Sequence, residues 1–379
     1  MRIEDEFNLE DGLIYLNHAA VSPWPQRTAD AVQRFAQQNA RQGSLAYPQW
    51  LETEHALREK LCRLLNAPSV DDIALVKNTS EALSFVAYGL RWERGDNIVS
   101  SDQEFPSNRI VWESLLPQGV ELRQANLADG DSPEDALFAL VDENTRLLAV
   151  SSVQYATGFR LDLARIGRFC QEHNILFCVD AIQEIGALPF DVQASRADFV
   201  AADGHKWMMG AEGLGVFYCR DTLREQLRLS QFGWHMVEAV GDFDQRDWQP
   251  ASSARRFECG SPNMLGIHAL EASLSLLLEY GMSRVAENVL ENSRFLMEKL
   301  RAMGYVVTTP GESALHAGIV SFSHADGAAE TAKIYDKLSE NRVFCALRGA
   351  NIRFSPHFYT PRARLERCIE LLHHAAGGQ

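Results

Sequence analysis

The chain is short of basic charge. Its 379 residues carry 36 Lys and Arg against 51 Asp and Glu, a formal charge of −15. That shortage argues against nucleic acid or an anionic membrane surface as the main partner, since both need a basic face. No apolar run approaches a membrane span. The opening MRIEDEFNLEDG is acidic and lacks the apolar centre of a secretory signal. The expectation is a cytoplasmic protein. The cysteines (Cys62, Cys170, Cys178, Cys219, Cys259, Cys345 and Cys368) are scattered and form no CxxC pair. Neither a zinc site nor a disulfide frame is indicated, no metal is expected, and most of these thiols should be small buried apolar groups.

What is present is an ordinary globular composition, 46% hydrophobic and 23% charged, in a chain long enough for two packed units. Helical stretches at Gln26–Asn39, Pro48–Leu65, Thr79–Leu90 and Leu161–His173 alternate with short apolar runs. Those runs are Asp72–Val76, Asn97–Ser100, Leu147–Ser152, Ile175–Val179, Asp198–Ala202 and Gly215–Cys219. Strand–helix–strand alternation implies an α/β unit with a mostly parallel sheet covered on both faces. ILFCVD is almost wholly apolar, as a strand buried on both faces should be. After Pro262 the texture changes to two long helices, Asn263–Tyr280 and Ser283–Met303. Shorter strands and a terminal helix from Pro361 follow, which suits a smaller α+β domain.

Ligands of open parallel sheets sit beyond the carboxyl ends of the strands. Asn78-Thr79-Ser80, Glu104-Phe105, Gln154-Tyr155, Asp180 with Gln183, and Asp203 to Lys206 all fall at such ends and should converge on one crevice. Lys206, in DGHKW, is either a lysine reaching solvent or an amine nucleophile toward carbonyls. Asp180 either caps the segment AIQEIG or holds a protonated pyridine nitrogen. Gln183 is placed to meet a ring hydroxyl. Thr79 and Ser80 serve as a plain helix cap or as a phosphate cradle. Asp203 and His205 are placed to add to that phosphate region. Phe105 either packs in the core or lies against an aromatic ring. Taken together, amine, nitrogen partner, hydroxyl partner, stacking ring and phosphate cradle describe a pyridoxal 5'-phosphate (PLP) site.

On VDAIQEIGALPFDV (179–192), DGHKW (203–207) and FECGSPN (257–263), the sequence resembles the class V aminotransferase family of fold-type I PLP enzymes. That family includes cysteine desulfurases, isopenicillin epimerase-like proteins and kynureninase relatives. The resemblance runs from YLNHAAVSP to IRFSPHFYTP. It implies a large domain with a mostly parallel seven-stranded sheet over 16–258, and a smaller α+β domain formed by 1–15 and 259–379. By resemblance, Lys206 is the lysine that carries the cofactor as a Schiff base and moves the substrate's α-proton. Asp180 is the partner of the pyridine nitrogen, and Gln183 is the contact to the ring oxygen. Thr79, Asp203 and His205 resemble phosphate ligands, with Ser80 lending its backbone amide. Ser261 resembles a position that reaches the phosphate of a neighbouring subunit, which implies a homodimer with shared sites. Arg353 resembles the arginine that grips the substrate carboxylate. Asn17, His18, Trp207, Trp234, His235 and His357 are further candidates for the substrate side, with core or dimer packing the stronger expectation for Trp234.

Departures from the family pattern narrow the chemistry. Desulfurases carry a histidine over the ring where this chain has Phe105. They also place a catalytic cysteine on a mobile loop before the carboxylate-binding arginine, whereas VFCALRGANIR is short and Cys345 reads as buried. Tyr155 stands where many relatives have asparagine. Transamination of an amino acid is the leading expectation. A lyase, desulfurase-like or epimerase reaction comes next, and a catalytically silent PLP-fold binding protein is the reading from another class.

Overall fold

The computed structural model describes residues 3–375. Seven strands form the central sheet: β1 (Ile73–Val76), β2 (Asn97–Ser101), β3 (Glu121–Ala125), β4 (Thr145–Ser151), β5 (Leu176–Asp180), β6 (Phe199–Asp203) and β7 (Gly215–Cys219). Their spatial order is β1-β7-β6-β5-β4-β2-β3. β7 runs antiparallel to both its neighbours, and the other adjacent pairs are parallel.

The apolar runs are continuous because both faces are covered. Val99, Leu148, Val179, Val200 and Val216 enter one core, while Ile98, Leu147, Cys178, Phe199 and Phe217 enter the other. Period-two alternation sends each strand's residues to both, so neither face needs polar positions. The edge strand β3 was not legible in the sequence. ELRQA buries only Ala125 and keeps polar side chains on both faces.

The smaller unit builds its own core from Leu296, Val320, Phe322, Ile334, Val343 and Phe354, joined by Ile14 and Leu16 from the start of the chain. The N-terminal Ile14–Tyr15 pairs in parallel with Val343–Phe344. Strands Val306–Val307, Val320–Ser323, Asn351–Phe354 and Ala346–Arg348 form an antiparallel sheet. Helix Ala328–Glu340 lies in this unit and was not anticipated, since it buries only Thr331, Ile334 and Leu338 and shows a thin apolar stripe. Helix Met264–Tyr280 follows residue 258 yet packs into the large core through Met264, Ile267, Leu270 and Leu274. Among the described residues no helix is long and apolar enough to cross a membrane.

Candidate active site

The parallel strands β1, β2, β4, β5 and β6 end on the same edge of the sheet, and a cleft of about 240 Å³ opens there. Thr79, Phe105, Tyr155, Asp180, Gln183, Asp203, His205, Lys206 and Arg353 all line it. Ser80, Asn17 and His18 do not.

Lys206 stands in the tight return from β6 to β7. The return closes with Gly204 N on the Leu214 carbonyl and Gly210 N on the Gly204 carbonyl. The neighbouring Trp207 is fully buried and donates its indole N–H to Gln183 Oε1 at 3.0 Å. Gly186 makes this packing possible: its φ is +95°, and a Cβ there would lie 2.4 Å from the Trp207 carbonyl oxygen. Lys206 itself is buried, with Nζ 5.5 Å from the centre of the Phe105 ring. Burial pushes its ammonium down to about 8, and Arg353 pushes the same way against the pull of Asp180. Burial likewise lifts the Asp180 carboxyl to about 7, countered by the Ile182 N–H that Oδ1 accepts at 3.1 Å. An amine and an acid at the end of adjacent strands are thus both moved toward neutrality, an arrangement that recurs at catalytic centres.

The phosphate end forms where β1 meets its helix. Asn78 caps helix Thr79–Gly89 by accepting from Glu81 N at 2.9 Å. Thr79 Oγ1 is buried without a partner, and so is His205 Nδ1. Asp203 Oδ1 accepts the Thr79 N–H at 3.0 Å. Asp203 lines the cleft, and its carboxyl, raised by burial to about 6, is committed through Oδ1 to holding the Thr79 backbone in place. His205, lowered to about 4 by burial and then by Lys206, stands as a neutral imidazole. Ser80 is exposed and does not line the cleft, but donates its hydroxyl to Ser107 Oγ, which does, at 2.9 Å.

Arg353 forms the opposite wall. It is 1% exposed, donates from Nη1 to the Tyr155 carbonyl at 2.7 Å, and has Nε buried without a partner. Among the described residues no carboxylate pairs with it; Nη2 lies 3.5 Å from Asn17 Oδ1. Burial, with Arg348 adding to it, lowers this guanidinium to about 9. A buried arginine left without an acid can accept a carboxylate bidentately. Phe105 and Tyr155 meet edge to face at 5.1 Å beside it. Gln183 spends one amide hydrogen on the Ala19 carbonyl at 3.1 Å and one Oε1 lone pair on Trp207, which leaves its second amide hydrogen and second lone pair for a ligand.

Several expected substrate contacts are structural instead. His18 is fully buried, with Nδ1 2.7 Å from the Ser355 carbonyl and Nε2 2.7 Å from the Tyr359 hydroxyl, so it has no free nitrogen for substrate. Asn17 reaches the site only through Arg353. His357 is occupied by the Trp207 carbonyl and the Phe358 N–H. Trp234 packs on His235 and Phe243 away from the cleft. His235 lies with Glu54 and Glu258 at a spacing that would suit a metal ion, but Arg58 donates to both carboxylates at 2.6 to 2.7 Å and makes the group an ion-pair network. Ser261 is exposed and lines a separate cleft with Lys77 and Glu81. Cys345 is buried outside the site, its thiol pushed up to about 12. Ala346–Arg348 and Asn351–Phe354 pair as a hairpin across Gly349 and Ala350, leaving no extended loop there. Arg348 and the Ala19–Val21 segment complete the cleft wall and were missed by sequence reasoning.

The profile of the family described as "Aminotransferase class-V" matches residues 14–346. The chain belongs to the class-V aminotransferase family. A probable cysteine desulfurase of Methanothermobacter thermautotrophicus is 30% identical over 404 residues, covering 100% of this chain and 99% of that protein. One solved structure, a variant of C-DES with glycine covalently linked to its PLP cofactor, has a TM-score of 0.88 at 24% identity and covers 97% of each chain. Another, the cystine C–S lyase C-DES with its product cysteine persulfide, has a TM-score of 0.87 at 24% identity, covering 97% of this chain and 99% of that one. The fold is therefore that of the fold-type I PLP enzymes, and the family is PLP-dependent. This chain's cleft fits that cofactor: the partnerless Thr79 hydroxyl and His205 nitrogen suit a phosphate, Lys206 an aldehyde, and Asp180 a pyridine nitrogen.

Proposed function

We propose that this class-V enzyme is a PLP-dependent lyase that breaks the carbon–sulfur bond of a cysteine-type amino acid. The observation that carries the reading is the composition of the cleft lining. An unpaired Arg353 and an amine at Lys206 both line it, and none of the cysteines does. The relatives support sulfur chemistry, and the missing thiol supports release of sulfur rather than its capture on the protein. Transamination ranks second, since no relative named above is described as performing it.

The cofactor, when bound, supplies an electron sink for the substrate's α-carbon. The rest falls to the chain's own side chains. Thr79 and His205 would hold the phosphate, and the Asp180 carboxyl would pair with the protonated ring nitrogen. Arg353 binds the α-carboxylate with its planar fork. Lys206, lowered to about 8, has enough free amine near neutral pH to take the α-proton. Phe105 walls the cleft without offering an acid or base, so it leaves proton transfer to Lys206. The sulfur departs with the electron pair of the broken bond. For cystine, one water is consumed and pyruvate, ammonia and cysteine persulfide are formed, with no oxidant or reductant required.

Ser261, outside its own chain's Lys206 cleft, supports a homodimer in which it reaches the neighbouring site; the elution volume of the purified protein tests this. For the reaction, holoenzyme is incubated separately with cystine, cysteine and a panel of other amino acids. Pyruvate formed from cystine without added keto acid supports the lyase. Alanine and sulfide from cysteine point to desulfuration through an outside thiol, and product that appears only with a keto-acid acceptor establishes transamination. A bound cofactor with no turnover on any amino acid establishes the silent protein.

A further inference from the structure

Glu104 follows β2 and is nearly fully buried, yet among the described residues no basic side chain pairs with it. Its carboxylate is wrapped in neutral donors. Oε1 accepts from Ser101 Oγ at 2.8 Å, Ser151 N at 2.9 Å and Gln154 Nε2 at 3.1 Å. Oε2 accepts from Asn108 Nδ2 at 2.8 Å, Ser151 N at 3.0 Å and Ser151 Oγ at 2.5 Å. Every contact brings a hydrogen to the group, so an acceptor on both oxygens is required. A glutamine would turn one of them into a donor facing donors.

These contacts join the parts of the cleft that come from different segments. Ser151 ends β4 and stands in register with Asp180 on β5. Ser152 N bonds the Asp180 carbonyl at 2.9 Å. Gln154 leads directly into Tyr155, whose carbonyl holds Arg353 at 2.7 Å. Phe105 is the next residue after Glu104 and covers Lys206. Asn108 extends the tie into the following helix and accepts from Trp112 Nε1 at 2.9 Å.

We infer that Glu104 is a positioning residue of this site: its buried carboxylate locks the Phe105 wall and the Tyr155 carbonyl that seats Arg353 into one rigid unit. It touches neither cofactor nor substrate and acts through both neighbours. The inference rests on Arg353 binding the substrate carboxylate, but not on which bond is then broken.

The test compares holoenzyme with Glu104→Gln and Glu104→Asp. The first readout is binding of glycine, followed as a shift in cofactor absorbance, which needs no turnover. The second is the split between KM and kcat on whichever substrate proves active. Glu104→Gln is expected to weaken glycine binding and raise KM by about tenfold, the cost of losing a buried charged hydrogen-bond centre, with a smaller change in kcat. Glu104→Asp is expected to recover part of the affinity. A Glu104→Gln enzyme that melts earlier but binds glycine as the parent does would overturn the assignment and leave Glu104 a purely structural group. Should Glu104→Gln not fold, Gln154→Ala decides. It removes one contact, and about threefold weaker glycine binding is expected; unchanged binding overturns the inference. Failure of C–S cleavage with intact glycine binding would count against the lyase reading alone.

Discussion

Arg353 Nη1 donates to the main-chain carbonyl of Tyr155 at 2.7 Å, a bond that ties the small unit's sheet to the segment following β4 in the large one. The guanidinium is buried, lowered to about 9 by desolvation, and no acid among the described residues neutralises it. In the proposed reaction, a substrate carboxylate arriving there would complete a pair that the protein leaves half-made.

Replacing Arg353 with lysine keeps a charge but loses the fork. The expected result is amino-acid binding about 10- to 100-fold weaker, read as KM or as spectral titration, with cofactor retention unchanged. Equal affinity in Arg353→Lys would place the carboxylate elsewhere.

The pH dependence of cofactor loading follows from Lys206. Burial disfavours its ammonium, so the proton leaves at lower pH than from a free lysine, and the reactive amine is the minor form below about 8 and the major form above it. The rate of PLP attachment to apoprotein should rise with pH through about 8 and then level. A rise centred near the ordinary lysine range, above 10, would mean that the amine is solvated.

Cys345 is expected to be a bystander. It is buried, its thiol is pushed up to about 12, and it lies outside the cleft. Cys345→Ala should therefore leave sulfur release within about twofold of the parent, because a thiol held protonated is a poor nucleophile. Abolished sulfur release in that variant would restore a protein-bound sulfur carrier.

The ion-pair network around Arg58 is a stability element. Arg58 is raised above its usual range despite burial, because Glu258 and Glu54 flank it, and Glu258 Oε1 also accepts Leu75 N at 2.8 Å. Arg58→Ala leaves two buried carboxylates unpaired and should cost about 3–5 kcal/mol, read as a lower Tm and denaturation midpoint. An unchanged Tm would show that the carboxylates find another counterion.

Much of this site was legible because strand ends are easy to find. Six apolar runs announced six of the seven strands, and of the residues closing five of them Thr79, Phe105, Tyr155, Asp180, Gln183, Asp203, His205 and Lys206 line one cleft, while Asn78, Ser80, Glu104 and Gln154 do not. The edge strand ELRQA hid because an edge needs little apolar surface. Helix Ala328–Glu340 hid because it buries so narrow a stripe. Side-chain roles were harder, since a motif gives a position but not the partners. Nothing in YLNHAA shows that both His18 nitrogens are taken by Ser355 and Tyr359, more than 300 residues away. The same holds for Asp203, whose bond to Thr79 N is a meeting of distant segments. Glu104 could be placed at a strand end, but its burial among six neutral hydrogen-bond contacts belongs to the folded state.

The central claim is that Lys206 carries the cofactor. Borohydride reduction of the purified, PLP-loaded protein, followed by peptide mass spectrometry, tests it most directly. The account predicts a pyridoxyl-phosphate adduct on the peptide containing Lys206, absent from Lys206→Ala. A modification confined to another lysine, or an equally modified Lys206→Ala protein, would contradict it.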